Sequence, residues 1–436
     1  MGSTLLPSIY RISRSIVTSS LKLTGSFFNQ TSQFKYYTTS NAPSDTSYPI
    51  QPRTIPFPKI FQNLSRIFPR PLSSSWDDYR AFKTNEALLQ EDLLSTVPFY
   101  PDSADGKIGQ IIKTPIDDEN YINEFCITPL NPNSDRMNHL VFIHGYGAGL
   151  GFFIKNFETL PLLDDSWTIH VVDMPGYGFS SRKPFPFDIR KHTLSAVEQW
   201  FVDRFELWFQ KRGLAENSDR NLLVAHSMGA YFSALYAHRH PKRFKKLIMC
   251  SPAGVFLRKL IDEPQSWFVK LWDRNVSPFS LIRNSGRWGS KIASAWSYRR
   301  FGRLLDDGTE LGATQFEALH RYSYAIFNRP GSGEYMLSFV LQCGANPRHP
   351  LLTRFFSEQP SEEYTADCDW LWLYGDRDWM DYHGGELASK FINEHKKNSS
   401  DIKVVPDAGH HLYFDNYEYF NELLVNEMRN VMKGAS

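Results

Sequence analysis

Asn221-Leu222-Leu223-Val224-Ala225-His226-Ser227-Met228-Gly229 is the stretch on which the fold turns. An apolar run stops at a serine set between small residues. A helix-forming segment, Ala230-Tyr231-Phe232-Ser233-Ala234-Leu235-Tyr236-Ala237, begins immediately after it. Strand, sharp turn and helix in that order lift a serine hydroxyl above the end of a sheet. Strand and helix approach closely at such a turn, so its neighbours must be small. The usual pattern is Gly-x-Ser-x-Gly, and here Ala225 holds the first position. Ser227 is therefore a candidate nucleophile, and the flanking sequence must supply its partners.

Working outward, apolar segments alternate with helical ones. Strands are expected at 110–114, 124–129, 140–144, 168–173, 222–225, 246–251, 370–374 and 403–405. Buried apolar strands separated by helices predict an α/β fold with a mostly parallel sheet covered on both faces. The first two strands have no helix between them and predict an antiparallel hairpin at one edge. In such sheets the site lies at the carboxyl ends of the strands.

The chemistry-bearing residues fall at those ends. After Leu140–Ile143 comes His144-Gly145-Tyr146-Gly147-Ala148-Gly149. A glycine-rich turn exposes backbone N–H groups, which acyl transfer needs for the oxyanion of its tetrahedral intermediate. The N–H groups of Tyr146 and Met228 are the candidates, with Gly147 as the alternative to Tyr146. The loop lacks the Lys-Ser/Thr ending of a phosphate-binding loop and the glycine spacing of a dinucleotide site. Asp173-Met174-Pro175-Gly176-Tyr177-Gly178 reads as a turn that shapes the pocket wall. A serine needs a base, and the base needs an orienting acid. Strand 370–374 runs into Gly375-Asp376-Arg377-Asp378-Trp379-Met380-Asp381, and strand 403–405 into Pro406-Asp407-Ala408-Gly409-His410-His411. His410 is the expected base. For the acid, Asp378 stands first and Asp381 second.

Composition narrows the remaining classes. With 48 basic against 47 acidic side chains in 436 residues, no global polyanion partner is implied. Cys126, Cys250, Cys343 and Cys368 are far apart, which argues against a zinc site or a disulfide framework. The first acidic residue is Asp45, and the preceding stretch holds Arg11, Arg14, Lys22 and Lys35 among many serines and threonines. Leu5, Ile9, Ile12 and Ile16 share one helical face. That is the composition of a mitochondrial transit peptide, assigned to 1–44. Residues 45–107 read as a linker and a helical extension whose apolar stripe includes Trp76, Tyr79, Phe82, Ala87, Leu88 and Leu94. The core occupies 108–255 and 356–436, and the long insertion at 256–355 is expected to be a helical cap. From Phe256 to Arg303 the insertion holds ten Lys or Arg against three Asp or Glu, interleaved with Trp267, Phe268, Trp272, Phe279, Trp288, Trp296, Tyr298 and Phe301. Basic charge draws a surface to anionic headgroups and aromatics seat in the interface. The expectation is peripheral contact with an anionic membrane, and no nucleic-acid partner.

His144–Gly149, Asp173–Ser181, Ala225–Gly229, Ser332–Glu334, Gly375–Asp381 and Gly409–Asp415, in that order, resemble one branch of the α/β-hydrolase family. It is the branch of the N-acyl-phosphatidylethanolamine lipase and the lipid-droplet lipase coactivator. The resemblance spans about residues 76–430 and includes the branch's His-x4-Asp pattern, here His410 to Asp415. Animal members place the acid at the position of Asp381 and plant relatives at that of Asp378; this chain has both. The coactivator lacks the serine, whereas this chain keeps Ser227. With the amino-terminal segment, the match is to cardiolipin-deacylating members. The resemblance thus implies a mitochondrial serine phospholipase, peripheral on the inner membrane. It would convert cardiolipin to monolysocardiolipin and fatty acid with Ser227, His410 and Asp378 and no metal or cofactor. The alternatives are a lysophosphatidate acyltransferase and a non-enzymatic lipid-surface scaffold.

Overall fold

The computed structural model describes residues 64–132, 137–163, 165–216, 218–257, 266–306 and 308–434. The transit-peptide assignment and the linker up to residue 63 lie outside the described residues. The chain divides into two compact units, Met1–Ile67 and Phe68–Ser436. Of the first, the short helix Leu64–Ile67 is described.

The second unit is built on one sheet of eight strands: β1 (Lys107–Pro115), β2 (Tyr121–Pro129), β3 (Asn138–Ile143), β4 (Trp167–Val172), β5 (Asn221–His226), β6 (Lys246–Cys250), β7 (Asp369–Gly375) and β8 (Ser400–Val405). Their spatial order is β1-β2-β4-β3-β5-β6-β7-β8. β1 and β2 form the expected antiparallel hairpin, β2 pairs antiparallel with β4, and every later pairing is parallel. All eight expected strands are present, each within a few residues of its expected ends. Register brings the chemistry together. Ile143 lies opposite Ala225, His226 opposite Cys250, and Cys250 opposite Leu373. The segments leaving β3, β5, β6 and β7 therefore emerge side by side at one end of the sheet.

The helices that frame the sheet and the site are α1 (Leu72–Asn85), α2 (Leu88–Leu94), α3 (Leu194–Lys211), α4 (Met228–Arg239), α5 (Gly289–Phe301), α6 (Glu310–Asn328), α7 (His383–His395) and α8 (Tyr417–Gly434). On one sheet face α3, α4 and α7 pack over Val141, Leu223 and Trp372. On the other, α2, α6 and α8 pack over Phe142, Val224 and Leu373. The side chains of Thr193 and Thr309 cap α3 and α6 by accepting the N–H of the third helical residue, at 3.2 and 2.9 Å.

The amino-terminal extension differs from its expected stripe. The helix breaks after Asn85, and Trp76 and Leu88 are exposed. α1 instead buries Ser75 and Asp78. Asp78 accepts Arg70 at 2.8 and 2.9 Å and also the Ser290 hydroxyl. His320 bonds Ser290 at 2.9 Å and Ser297 at 2.7 Å. A buried carboxylate persists only with such partners, and here they rivet α1 to α5 and α6.

The insertion between β6 and β7 is helical; among its described residues most aromatic side chains are turned inward, whereas Lys270, Arg274, Arg287, Arg299 and Arg303 are exposed. Trp296 stacks on Phe152 at 5.6 Å, Phe301 meets Phe152 at 5.3 Å, and Phe279 stacks on Phe327 at 4.8 Å. Trp272 donates its indole N–H to the Leu341 carbonyl at 3.1 Å. Arg283 pairs with Glu334, Arg300 with Asp415, and Lys291 donates to the carbonyls of Phe68 and Arg70. Among its described aromatic residues Trp288, beside Arg287 stacked over Trp76, is exposed. No helix among the described residues is long and apolar enough to cross a membrane.

Candidate active site

Ser227 sits at the turn between β5 and α4 with φ 52° and ψ −115°. Positive φ at a non-glycine residue is strained and persists only where the surroundings dictate it. They do so here. The Ser227 N–H donates to the Cys250 carbonyl at 2.9 Å, and its own carbonyl accepts from Ala253 at 3.1 Å and Tyr231 at 3.2 Å. The glycine two residues on is needed for space: a Cβ on Gly229 would lie 2.2 Å from the His144 carbonyl oxygen. Ala225, fully buried, fits where the usual motif has glycine.

His410 follows β8. Its Nε2 lies 3.0 Å from Ser227 Oγ and its Nδ1 3.2 Å from Asp378 Oδ1. For the serine hydroxyl to donate to Nε2, the imidazole proton must sit on Nδ1, facing the carboxylate. Asp378 is buried. It also accepts the Met380 N–H at 3.0 Å and the hydroxyl of Ser251. Asp381 lies away from His410, exposed, and accepts the His383 N–H at 2.9 Å at the start of α7. The turns after β7 and β8 are stitched together: a Cβ on Gly375 would lie 2.2 Å from the Ala408 carbonyl oxygen.

The segment carrying His410 is braced from two sides. The His226 imidazole meets the His410 carbonyl at 2.9 Å, and burial holds its pKa well below the ordinary value, so neutral Nε2–H is the donor. Asp415 accepts the Gly409 N–H at 2.9 Å and Arg300 at 2.6 Å. Asp415 thus grips the loop next to His410 rather than the imidazole. His411 turns instead into the aromatic cluster of Phe152, Trp296 and Tyr413.

The loop after β3 meets Ser227 from the other side. A Cβ on Gly145 would lie 2.9 Å from Ser227 Cβ. His144 is fully buried, which lowers its pKa and keeps it neutral. Its Nε2 accepts the Met174 N–H at 3.0 Å, so Nδ1–H donates to the Gly145 carbonyl at 2.8 Å. In a trans peptide the carbonyl and the following N–H point oppositely. Pinning the Gly145 carbonyl therefore fixes the direction of the Tyr146 N–H. Neither the Tyr146 nor the Met228 N–H has an acceptor among the described residues. Above them Phe279 closes the site, stacked on Tyr146 at 5.8 Å, and a Cβ on Gly147 would lie 2.8 Å from its ring. Ser227 is 7% exposed.

Asp173 plays the turn role expected of it, accepting N–H groups of Leu150 and Phe179 at 2.8 and 2.7 Å. Sequence reading missed Ser251, Arg300 and the bracing role of His226. Ser251 could have been found from its place at the end of β6; nothing in the sequence points to Arg300. A second buried cluster lies on β2 and β4, where Glu124, Cys126 and His170 gather their ligand atoms within 4.8 Å. Arg212 sits 3.0 Å from Glu124 and 3.6 Å from Cys126, so the cluster already holds a cation. Burial opposes the charge on His170, yet Cys126 and Glu124 raise its pKa to about 9. A protonated imidazole beside a guanidinium is a poor metal site.

Residues 138–417 match the model of the alpha/beta hydrolase fold. A 1-acylglycerol-3-phosphate O-acyltransferase of Arabidopsis thaliana is 32% identical over 309 residues, covering 68% of each chain. The (lyso)-N-acylphosphatidylethanolamine lipase of Homo sapiens is 26% identical over 311 residues, 69% of this chain and 82% of that one. The 1-acylglycerol-3-phosphate O-acyltransferase ICT1 of Saccharomyces cerevisiae is 24% identical over 340 residues, 66% of this chain and 80% of that one. Strand order, the strained serine and these relatives together make the chain a member of the α/β-hydrolase family, in the branch that holds the N-acylphosphatidylethanolamine lipases.

Proposed function

We propose that the protein is a serine hydrolase that deacylates a membrane phospholipid. Ser227 Oγ attacks the acyl carbonyl while His410 Nε2 takes its proton. Asp378 stabilises the imidazolium that forms. The Tyr146 and Met228 N–H groups hold the oxyanion. The lysolipid leaves with the proton from His410. Water, deprotonated by the same imidazole, then releases the fatty acid. No step so drawn uses a metal or cofactor. The observation that carries this reading is the line from Ser227 Oγ through His410 to Asp378, at 3.0 and 3.2 Å, with two N–H donors left over.

Cardiolipin as the substrate, and peripheral attachment to the inner mitochondrial membrane, are the finer part of the proposal. They rest on the acid-free basic segment before Asp45 and on the resemblance noted above. A second reading has a specific motive, since two of the relatives are named acyltransferases. In it, a lysophospholipid hydroxyl intercepts the acyl-enzyme in place of water. Asp415 offers that reading no separate centre, because it is spent on Gly409 and Arg300.

The test is lipid mass spectrometry on the protein and its Ser227→Ala variant. Mixed liposomes of cardiolipin, phosphatidylglycerol, phosphatidylcholine and phosphatidylethanolamine would be supplied, with and without lysophosphatidate and acyl-CoA. Fatty acid and monolysocardiolipin formed only with Ser227 are expected. Phosphatidate formed without net fatty acid would replace hydrolysis by transfer. No Ser227-dependent change in any lipid would leave the scaffold.

A further inference from the structure

Ser251 follows β6 with φ 43° and is fully buried. Glycine adopts a left-handed backbone freely, whereas a residue with a Cβ is strained there. Strain of this kind collects at functional sites, so a serine at such a turn points to a task for its side chain. The one side-chain bond that Ser251 makes shows what the task is. Its hydroxyl donates to Asp378 Oδ2. The other oxygen, Oδ1, receives His410 Nδ1–H at 3.2 Å and the Met380 N–H at 3.0 Å. The Asp378 side chain is 1% exposed. Among the described residues the Ser251 hydroxyl is therefore the donor on which Oδ2 depends. Without it a buried carboxylate oxygen is left unpaired and the group can turn about χ2.

The main chain of the same turn is tied to the nucleophile. The Cys250 carbonyl accepts the Ser227 N–H at 2.9 Å, and the Ala253 N–H donates to the Ser227 carbonyl at 3.1 Å. The Ser251 N–H donates to the Leu373 carbonyl at 2.7 Å, on the strand that leads to Asp378. Register sets up these bonds, since His226 lies opposite Cys250 and Cys250 opposite Leu373. Two strained serines at the ends of neighbouring strands, Ser227 and Ser251, are thus locked to each other. The turn after β6 touches the nucleophile through its backbone and the acid through its side chain.

We propose that Ser251 is a positioning residue for the reaction. Its hydroxyl keeps Asp378 in the orientation that turns Oδ1 to His410, and its backbone refers that orientation to Ser227. Nucleophile and acid are then spaced by the sheet itself, and the loop carrying His410 has only to fall between them. The inference rests on the assignment of Ser227, His410 and Asp378 above. It does not depend on which acyl donor is used, or on whether water or a lysolipid takes the acyl group.

The experiment is a double-mutant cycle on the full chain: wild type, Ser251→Ala, Asp378→Asn and the two together, assayed for kcat and KM on a soluble butyrate ester. Ser251→Ala removes the hydroxyl and keeps the Cβ. Ser251→Gly relieves the left-handed backbone as well and replaces the alanine variant should that one not fold. Either variant should lose about tenfold in kcat, as for a lost hydrogen bond to a charged group, with KM moved less than about twofold. In the Asp378→Asn background the same substitution should change kcat less than about twofold, because the charge it acts through is gone. A Ser251→Ala protein with the wild-type kcat would overturn the proposal, since the hydroxyl would be idle. An equal loss in both backgrounds would also overturn it, tracing the effect to the shape of the turn. A wild type inert to the ester and to a fluorophosphonate probe would sink the serine-enzyme reading and this role with it. Probe labelling slowed about tenfold in the Ser251 variants, with no phospholipid cleaved by the wild type, would keep the role and sink the phospholipase.

Discussion

Arg300, in the insertion, donates to Asp415 at 2.6 Å, and Asp415 in turn holds the Gly409 N–H at 2.9 Å. The residue next to the base is thereby anchored to the helix that covers it. Asp415→Asn keeps the shape and loses the charge. It should lower kcat about 10- to 100-fold through misplacement of His410, with little change in KM for a small ester. Acyl transfer and hydrolysis should fall together. Loss of transfer alone, followed with radiolabelled acyl donor, would give Asp415 a transferase role of its own.

Two aspartates three residues apart should differ by orders of magnitude. Asp378→Asn should cost roughly 10⁴ in kcat, because the imidazole loses the partner that fixes its tautomer. Asp381→Asn should change kcat less than threefold and lower stability by at most ~1 kcal/mol, as for a helix-capping residue. Steady-state kinetics on a soluble ester distinguish them. Equal losses would reopen the choice of acid.

The serine turn makes a steric prediction. Gly229→Ala would push a methyl to within 2.2 Å of the His144 carbonyl oxygen. It should displace Ser227 or the β3 loop and abolish labelling by a fluorophosphonate probe. Ala225→Gly should keep labelling and cost about 1 kcal/mol in stability. A labelled Gly229→Ala protein would contradict the close approach described.

His170 predicts a pH dependence of stability far from the serine. Its folded pKa of about 9 stands above the ordinary value of 6.5. The contribution is fully present below pH 6.5 and is lost as pH rises through about 9. Melting temperature should therefore decline across that window, and His170→Gln should flatten the decline. Added zinc should not raise the melting temperature of the wild type, because Arg212 occupies the cluster. A zinc-dependent rise would overturn that assignment.

The sheet was legible because its inner strands are buried on both faces and so read as apolar runs, with Leu222–Ala225 entering the serine turn. Ser227 was legible as a candidate because it lies directly beyond such a run, and His410 because it follows the last strand in chain order. The acid was not, because Asp378 and Asp381 share one turn. Only the fold of that turn decides which carboxylate faces the imidazole. The insertion was legible in part. Its composition records how many aromatic and basic side chains it has, not which way they face; Trp296 and Phe301 spend theirs on Phe152. Ser251 acts through a partner more than a hundred residues distant, Asp378, and no local pattern announces such a pair.

The buried grip of Asp78 on Arg70 and Ser290 has a mechanical consequence. The insertion cannot swing away from α1 as one piece without also breaking the Asp78–Arg321 and Arg70–Glu317 ion pairs. An opening over Ser227 that spares this frame would fall to the stretch from Ser266 to Asn284, which carries Phe279. Stiffness in α5 and α6 then sets the fixed end of the stroke. Tethering Phe279 to its neighbours should slow entry of lipid far more than it slows a small ester.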